Sequence, residues 1–332
     1  MAEPIRSKDC VSLRSLRLHV YVVGYPMEGE AILFLFEENS EPKLTILTDS
    51  YRDDDYCHIS KILSDWGSPN LDVFFWTHPD NDHSKGIETL LGEFDKNGDC
   101  HIFIPHYLHS ENVEEHIGKN ATGALTYLKN NYNRSPKYAK GHLRQYHPVS
   151  FDVSADPARF NFEFRSIVTG GLLGVSIEIF GPEVQRVLQH TDGTLGYDAN
   201  TMSIVYKMNA NSVNLFMTGD LDNEGAGVIP DECFKNIHFL KIPHHGSDEL
   251  KDFPGKFVMN ETEDMVSATT VFNHGKKPLP VDDIIEDYKE YSSAIYSTGV
   301  GEEKFGCVHV TYNLMKVLRE GEVELAGNAL AL

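Results

Sequence analysis

The run Val73-Phe74-Phe75-Trp76-Thr77-His78-Pro79-Asp80-Asn81-Asp82-His83 joins an apolar stretch directly to two imidazoles and two carboxylates. The apolar part has the composition of a buried strand, and Pro79 cannot continue a strand's hydrogen-bond ladder. The polar side chains are therefore splayed off the strand end, where they can converge. Histidine and aspartate together suit zinc, iron or manganese rather than calcium alone. A solvated acidic turn would have the same composition, so this run does not carry a metal site unaided.

Two later stretches repeat the pattern. Leu215-Phe216-Met217-Thr218-Gly219-Asp220-Leu221 and Leu240-Lys241-Ile242-Pro243-His244-His245-Gly246-Ser247 each run from an apolar strand through small or rigid residues to side chains that can hold a metal. A carboxylate at a strand end can bridge two cations. The His-His pair is followed by Gly246, which suits a tight turn with close backbone approach.

These three motifs, in this order, resemble those of metallo-β-lactamase superfamily hydrolases. They are most similar to the soluble hydrolase domain of bacterial competence (DNA-uptake) channel proteins, with its His-x-Asp-x-Asp-His loop, Thr-Gly-Asp-Leu strand end and Pro-His-His-Gly-Ser loop. The match extends to an opening hairpin around Val22-Val23-Gly24 and Glu28-Gly29-Glu30-Ala31-Ile32-Leu33, with Glu30 where an Asp is usual, and to Leu47-Thr48-Asp49-Ser50. It covers roughly residues 16–300. The resemblance implies an α/β fold, a four-layer αββα sandwich. It also implies two divalent metal ions, zinc or manganese. His78 and Asp80 would belong to the first ion, Asp82, His83 and His245 to the second, and Asp220 would bridge them. Where many relatives supply a further His, this chain has Asn200, a neutral oxygen donor that favours a harder ion such as manganese; His190 and Asp198 are nearby substitutes. His244 is expected to face the substrate and protonate the leaving oxygen, although spacing alone leaves the roles of His244 and His245 interchangeable. Asp82 is counted among the catalytic groups as well as the ligands. His274, in Asn273-His274-Gly275, either approaches the site from the second half or is a hydrogen-bonded turn residue. Asp49 is expected to orient the imidazoles by hydrogen bonding.

Composition limits what such a site would act on. The chain has 332 residues, 41% of them hydrophobic, and a formal net charge of −21. Duplex binders present a basic face, and this chain as a whole repels a polyanion, although bound divalent cations would offset acidity locally. Lys129, Arg134, Lys137, Lys140 and Arg144, interleaved with Tyr132, Tyr138 and Tyr146, form a basic insertion near residues 129–147. It reads either as a contact for phosphates and bases or as a solvated connector. The five scattered cysteines form no Cys-x-x-Cys pair and read as reduced thiols. Without a signal peptide or an apolar stretch of ~18 residues, a cytoplasmic protein with no membrane association is expected. It would lack the channel that accompanies the competence relatives, so DNA import is not its expected task.

One domain spanning 1–332 is the economical reading. Strands are expected at 16–23, 31–36, 44–48, 71–76, 101–104, 159–168, 173–180, 238–242, 268–272, 307–312 and 322–325. Helices are expected at 58–66, 86–94, 111–130 and 281–291, with a hairpin over 201–206 and 213–217. The expected activity is hydrolysis of a phosphodiester, nucleic acid or nucleotide, by a water activated between two ions ~3.5–4 Å apart. A nuclease follows most directly from the resemblance, and a small phosphodiester from the charge. Alternatives are hydrolysis of a carboxylic ester, lactone or thioester, and a non-catalytic metal-stabilised interaction module.

Overall fold

The computed structural model describes residues 6–26, 28–109, 113–132, 145–191, 198–259, 264–274, 277–316 and 321–332. Two large mixed sheets carry the chain. The first has eight strands in the order Glu322–Gly327, Gly306–Asn313, Arg17–Tyr25, Gly29–Glu38, Glu41–Thr48, Val73–Phe75, His101–Pro105 and Gln145–Val149. The second has nine: Arg6–Cys10, Ala158–Ser166, Leu172–Ile179, Tyr206–Ala210, Val213–Met217, Phe239–Lys241, Val266–Thr269, Ala294–Ser297 and Leu330–Ala331. Strand pairing is parallel from Glu41–Thr48 through Gln145–Val149 in the first sheet, and from Val213–Met217 through Ala294–Ser297 in the second.

Strand alternation sorts the apolar residues into three layers of core. Val20, Val22, Phe34, Val73 and Phe75 face Phe162, Val175, Met208, Leu215 and Ala268 across the space between the sheets. Their strand neighbours Tyr21, Val23, Leu33, Phe74 and Trp76 face outward, onto Ile59, Leu63, Leu91 and Leu125 of the helices His58–Asp65, Ile87–Phe94 and Lys119–Asn131. On the far side, Phe216, Leu240 and Ile295 pack with Ile284, Ile285 and Tyr288 of the helix Asp282–Lys289. Three cores separate four layers, which gives the α/β four-layer αββα sandwich expected above. Strands buried on both faces read as near-continuous apolar runs, as in Val73-Phe74-Phe75-Trp76, where every side chain is at most 1% exposed. Burying each of these large side chains contributes about 1.5–3 kcal/mol.

The structure moves some of the expected elements. The first arm of the hairpin is Tyr206–Ala210, not 201–206. Residues 200–203 instead form a turn closed by Ser203 N–H donating to the Asn200 carbonyl at 3.1 Å, which a polar Asn-Thr start favours over a strand. The helix expected over 111–130 begins at Lys119, after a separate 3-10 turn at Val113–Glu115; Gly118, an extended residue, ends the turn segment and caps the helix. Most of the basic insertion, residues 133–144, lies outside the described residues. At its start, Lys129 pairs with Glu114 at 2.7 Å and Tyr132 donates to Asp95 at 2.9 Å. Among the described residues, no helix is long and apolar enough to cross a membrane.

Candidate metal centre

Parallel strands align their C-terminal ends along one edge, and ligand sites of α/β proteins form there. Asp49 follows Glu41–Thr48, and His78 to His83 follow Val73–Phe75. Asp220 follows Val213–Met217, His244 and His245 follow Phe239–Lys241, and Thr270 follows Val266–Thr269. The two sheets thus deliver these loops to a common space between their edges.

Local geometry aims each side chain. A helical turn, Asn81–Ser84, follows Pro79 and Asp80. Gly219 adopts φ +53°, and a β-carbon there would lie 3.0 Å from the Thr77 β-carbon. Only glycine therefore lets the Asp220 strand end approach the first loop so closely. His244 and His245 both have left-handed backbones, at φ 46° and 52°. Such residues are costly for non-glycine side chains and cluster at functional sites. The turn they make points the two rings apart, with centroids 6.5 Å apart and planes at 65°.

Asp82, His83, Asp220 and His245 offer ligand atoms that all lie within 4.8 Å of one another, and all four are buried. His83 Nε2 is 3.3 Å from Asp220 Oδ1 and 3.4 Å from Asp82 Oδ2. His245 Nε2 is 3.2 Å from Asp82 Oδ2 and 3.4 Å from Asp220 Oδ2. His78 Nε2 completes the ring, 3.9 Å from Asp220 Oδ2 and 3.8 Å from Asp80 Oδ2. The two oxygens of Asp220 thus face different imidazoles, as a bridging carboxylate requires.

Hydrogen bonds fix which nitrogen of each ring faces inward. Thr77 donates its hydroxyl proton to Asp49 Oδ2 at 2.6 Å, so the same hydroxyl accepts from His78 Nδ1 at 2.9 Å. Asp49 also accepts from His83 Nδ1 at 2.8 Å and from the Thr77 backbone N–H at 2.7 Å. Both rings therefore carry their Nδ1 proton outward and present Nε2 to the centre. A second relay mirrors the first across the other sheet. Thr270 donates to Glu30 Oε2, and His245 Nδ1 lies 2.7 Å from the Thr270 hydroxyl. Glu30 Oε2 in turn pairs with Lys241 Nζ at 2.9 Å, and both side chains are at most 1% exposed. The orienting role read for Asp49 is thus geometrically present. The Glu30–Thr270–Lys241 half was not foreseen, although the departure at Glu30 was its one visible signal.

Charge balance inside the cluster is strained without a cation. Burial alone would raise Asp220 and Asp82, but His83 and His245 hold both carboxyls below the usual range. Burial likewise opposes protonation of His83 and His245, yet Asp220 leads the carboxylates that raise both, His245 to about 9. His78 is pushed down to about 4 by burial and by its charged neighbour His83. Asp80, only partly open to solvent, is raised to about 6 by this partial desolvation and by Asp82. His78 Nε2, His83 Nε2 and Asp220 Oδ1 are buried atoms that satisfy no hydrogen bond. Leaving such atoms unpaired is costly, and divalent cations among them would satisfy all three. The donor set of imidazole nitrogens and carboxylate oxygens fits such an ion.

The other expected residues are placed as follows. Asp80 is half-exposed at the rim, its side chain 47% exposed. The Asn200 turn runs beside Thr77, whose carbonyl accepts from Ile204 N–H at 2.9 Å, and Asn200 Oδ1 is buried with no hydrogen-bond partner. His244 is buried, and its Nδ1 lies 3.3 Å from Glu249 Oε2. The backbone of His274 lies in the strand Phe272–His274, but its side chain is outside the described residues. Its neighbour Phe272 stacks on His245 with centroids 4.7 Å apart. His190 is likewise undescribed beyond its backbone. Asp198 accepts from the Asn200 backbone N–H at 3.0 Å and caps that turn rather than joining the cluster.

No protein-family model matches the chain, and no curated protein matches it. Solved structures do. One is the metallo-beta-lactamase fold protein YhfI from Bacillus subtilis, 12% identical, with 83% of this chain and 95% of that chain covered at a TM-score of 0.41. Another, from Parabacteroides distasonis, is described as a "Putative metal-dependent hydrolase"; it is also 12% identical and covers 82% of this chain and 97% of that one, at a TM-score of 0.38. What the centre of this chain can do follows from its own side chains.

Proposed function

We propose that the protein is a metal-dependent hydrolase of phosphodiester bonds, with two divalent cations, zinc or manganese, as its cofactors. The observation that carries this reading is the buried group of Asp82, His83, Asp220 and His245, whose facing atoms lie within 4.8 Å of one another, with His83 Nε2 and Asp220 Oδ1 unpaired among them. His78, Asp80 and Asn200 would extend the donor set toward a second cation, which Asp220 would help to hold. The chemistry supplied by bound divalent cations is Lewis acidity toward the attacked centre and toward the attacking water.

The chain's own groups do the rest. Asp49 and Glu30, acting directly or through Thr77 and Thr270, keep three Nε2 atoms turned inward. Wholly buried imidazoles limit water to the open side, where Asp80 lies at the rim. His244, whose Nδ1 lies 3.3 Å from Glu249 Oε2, is the group that hands a proton to the leaving oxygen. A phosphodiester suits this arrangement because its anionic oxygens are attracted to a cation-loaded centre. The net charge of −21 favours a small diester over a long polynucleotide, while the competence-like motifs favour a nuclease.

The test is a hydrolysis panel on metal-analysed protein, with manganese or zinc. Single-stranded DNA, duplex DNA, RNA, bis-p-nitrophenyl phosphate and p-nitrophenyl acetate serve as substrates, and the Asp82→Ala/His83→Ala protein as control. Diester cleavage that disappears in the control supports the reading. Cleavage of the acetate alone replaces it with a carboxylic-ester hydrolase, and activity that survives the double substitution rejects the site.

A further inference from the structure

Far from this centre, the outer face of the first sheet carries a row of polar side chains on four adjacent strands. Glu37 lies on Gly29–Glu38, His19 on Arg17–Tyr25, His309 and Thr311 on Gly306–Asn313, and Glu324 on Glu322–Gly327. Glu37 Oε2 is 3.3 Å from His19 Nε2, and Glu324 Oε2 is 3.2 Å from His309 Nδ1. The two remaining ring nitrogens, His19 Nδ1 and His309 Nε2, face each other at 3.0 Å, and the Thr311 hydroxyl is 3.2 Å from each.

In the tautomers that serve both glutamates, proton counting leaves this row incomplete. A carboxylate only accepts, so each ring's single N–H is drawn to its glutamate. The two inner nitrogens are then lone pairs pointing at each other, and one hydroxyl proton can serve only one of them. Burial lowers both imidazoles below their ordinary range, and His19 further disfavours a charge on His309. A shared extra proton is therefore not the natural occupant at neutral pH.

We propose that His19 Nδ1, His309 Nε2 and the Thr311 hydroxyl form a separate site for a borderline divalent cation such as zinc. Their mutual separations of 3.0, 3.2 and 3.2 Å are near the ~3.3 Å between ligand atoms of a tetrahedral zinc ion with bonds of about 2.0–2.1 Å. Each imidazole is backed by a carboxylate on its other nitrogen, the arrangement that metal-bound histidines use. Imidazole donors select zinc, copper or nickel over magnesium and calcium. The position is reachable from solvent, since the His309 side chain is 17% exposed and that of Glu324 82%. It is also walled and rigid: Tyr21 stacks on His309 at 4.1 Å and Trp66 leans on His19 at 5.1 Å. An ion there would tie the edge strand Glu322–Gly327 to the body of the sheet through Glu324.

The test is equilibrium dialysis of the full chain against zinc, followed by metal analysis. It is done in the wild-type and Asp82→Ala/His83→Ala backgrounds, each with and without His19→Gln/His309→Gln. Removing the two outer-face imidazoles is expected to lower bound zinc by one ion per chain in both backgrounds. Copper loaded into the Asp82→Ala/His83→Ala protein should include a spin-resonance component split by two nitrogens that is absent when His19→Gln/His309→Gln is added and is reduced to one nitrogen by His309→Gln alone. That single change at the more exposed ring keeps the result independent of any folding loss at His19. Unchanged zinc in both backgrounds, or a copper signal indifferent to His309→Gln, overturns the proposal. The outcome does not depend on whether the main centre hydrolyses anything.

Discussion

Replacing Thr270 by valine keeps its shape and removes one hydroxyl. In the structure that hydroxyl donates to Glu30 and accepts from His245 Nδ1 at 2.7 Å, with all three residues at most 1% exposed. Without it, Glu30 Oε2 lies 3.4 Å from His245 Nδ1, too far for a normal hydrogen bond. The ring is then free to turn or to place its proton on Nε2, where a cation must bind. Loss of an orienting partner of this kind typically lowers metal affinity 10–100-fold, or about 1.4–2.8 kcal/mol at about 1.4 kcal/mol per tenfold. Glu30 also loses a buried hydrogen bond, which costs about 1–3 kcal/mol of stability. Competition against a chromophoric chelator gives the first quantity and urea unfolding the second. Nitrogen-15 spectra of the imidazoles report the tautomer, which a merely structural role would not change. Thr270→Ser should restore all three readouts. Wild-type affinity in Thr270→Val, with His245 still protonated on Nδ1, would refute the relay.

Lys241→Met removes the lysine that faces the fully buried Glu30 carboxylate and leaves it the Thr270 hydroxyl as its hydrogen-bond donor. Unfolding should become easier by about 3–5 kcal/mol, and the added change Glu30→Gln should recover much of it; equal stability of the single and double variants in denaturant would contradict the pairing. Gly219→Ala forces a left-handed backbone on a residue whose new β-carbon lies 3.0 Å from that of Thr77. A loss of about 1–2 kcal/mol from the backbone alone, together with weaker cation binding as Asp220 is displaced, should appear in melting and chelator titrations, and an unchanged melting curve would rule out the close approach. In the metal-free protein the raised His245, at about 9, contributes stability that is full below its unfolded value near 6.5 and is lost as pH rises through about 9. A cation competes for the same nitrogen, so affinity should climb across that window with proton release; calorimetry in buffers of different ionisation enthalpy measures it, and affinity flat from pH 6.5 to 9 would count against His245 as a ligand. His244→Gln should lower kcat about 10²–10⁴-fold with metal content intact, whereas loss of bound metal would make His244 a ligand instead.

The layers of the sandwich were legible because burial on both faces leaves a strong mark: Val73-Phe74-Phe75-Trp76 and Leu215-Phe216-Met217 are apolar at every position, and both are strands with buried neighbours on each side. The convergent loops were legible for a related reason, since each metal-compatible side chain directly follows such a run. What did not show was anything set by contacts between distant segments. Thr201-Met202-Ser203 has strand-like residues, yet the turn at Asn200 and the pairing of Tyr206–Ala210 with Val213–Met217 place the hairpin further along.

The orienting groups divide along the same line. Asp49 stood out because Leu47-Thr48-Asp49-Ser50 resembles a known Asp-containing turn, but Thr270 is an ordinary threonine in Ala268-Thr269-Thr270, and its partner Glu30 is 240 residues away. No local pattern encodes that meeting. It arises because the opening hairpin of the first sheet and a parallel strand of the second end at the same edge of the sandwich. The consequence is physical: two carboxylates from one sheet, Asp49 and Glu30, orient imidazoles presented by both sheets. Only Glu30 is neutralised by a buried lysine. His83 and His78 therefore lean on an uncompensated carboxylate, and His245 on a compensated one. A carboxylate partner raises the basicity of the ring that it holds, so within the group of Asp82, His83, Asp220 and His245 the His245 ring should hold a cation less tightly than the His83 ring. Replacing His245 by alanine should then lower cation affinity less than replacing His83 does, as measured by chelator competition. If His245→Ala costs as much as His83→Ala or more, the neutralising role of Lys241 is wrong.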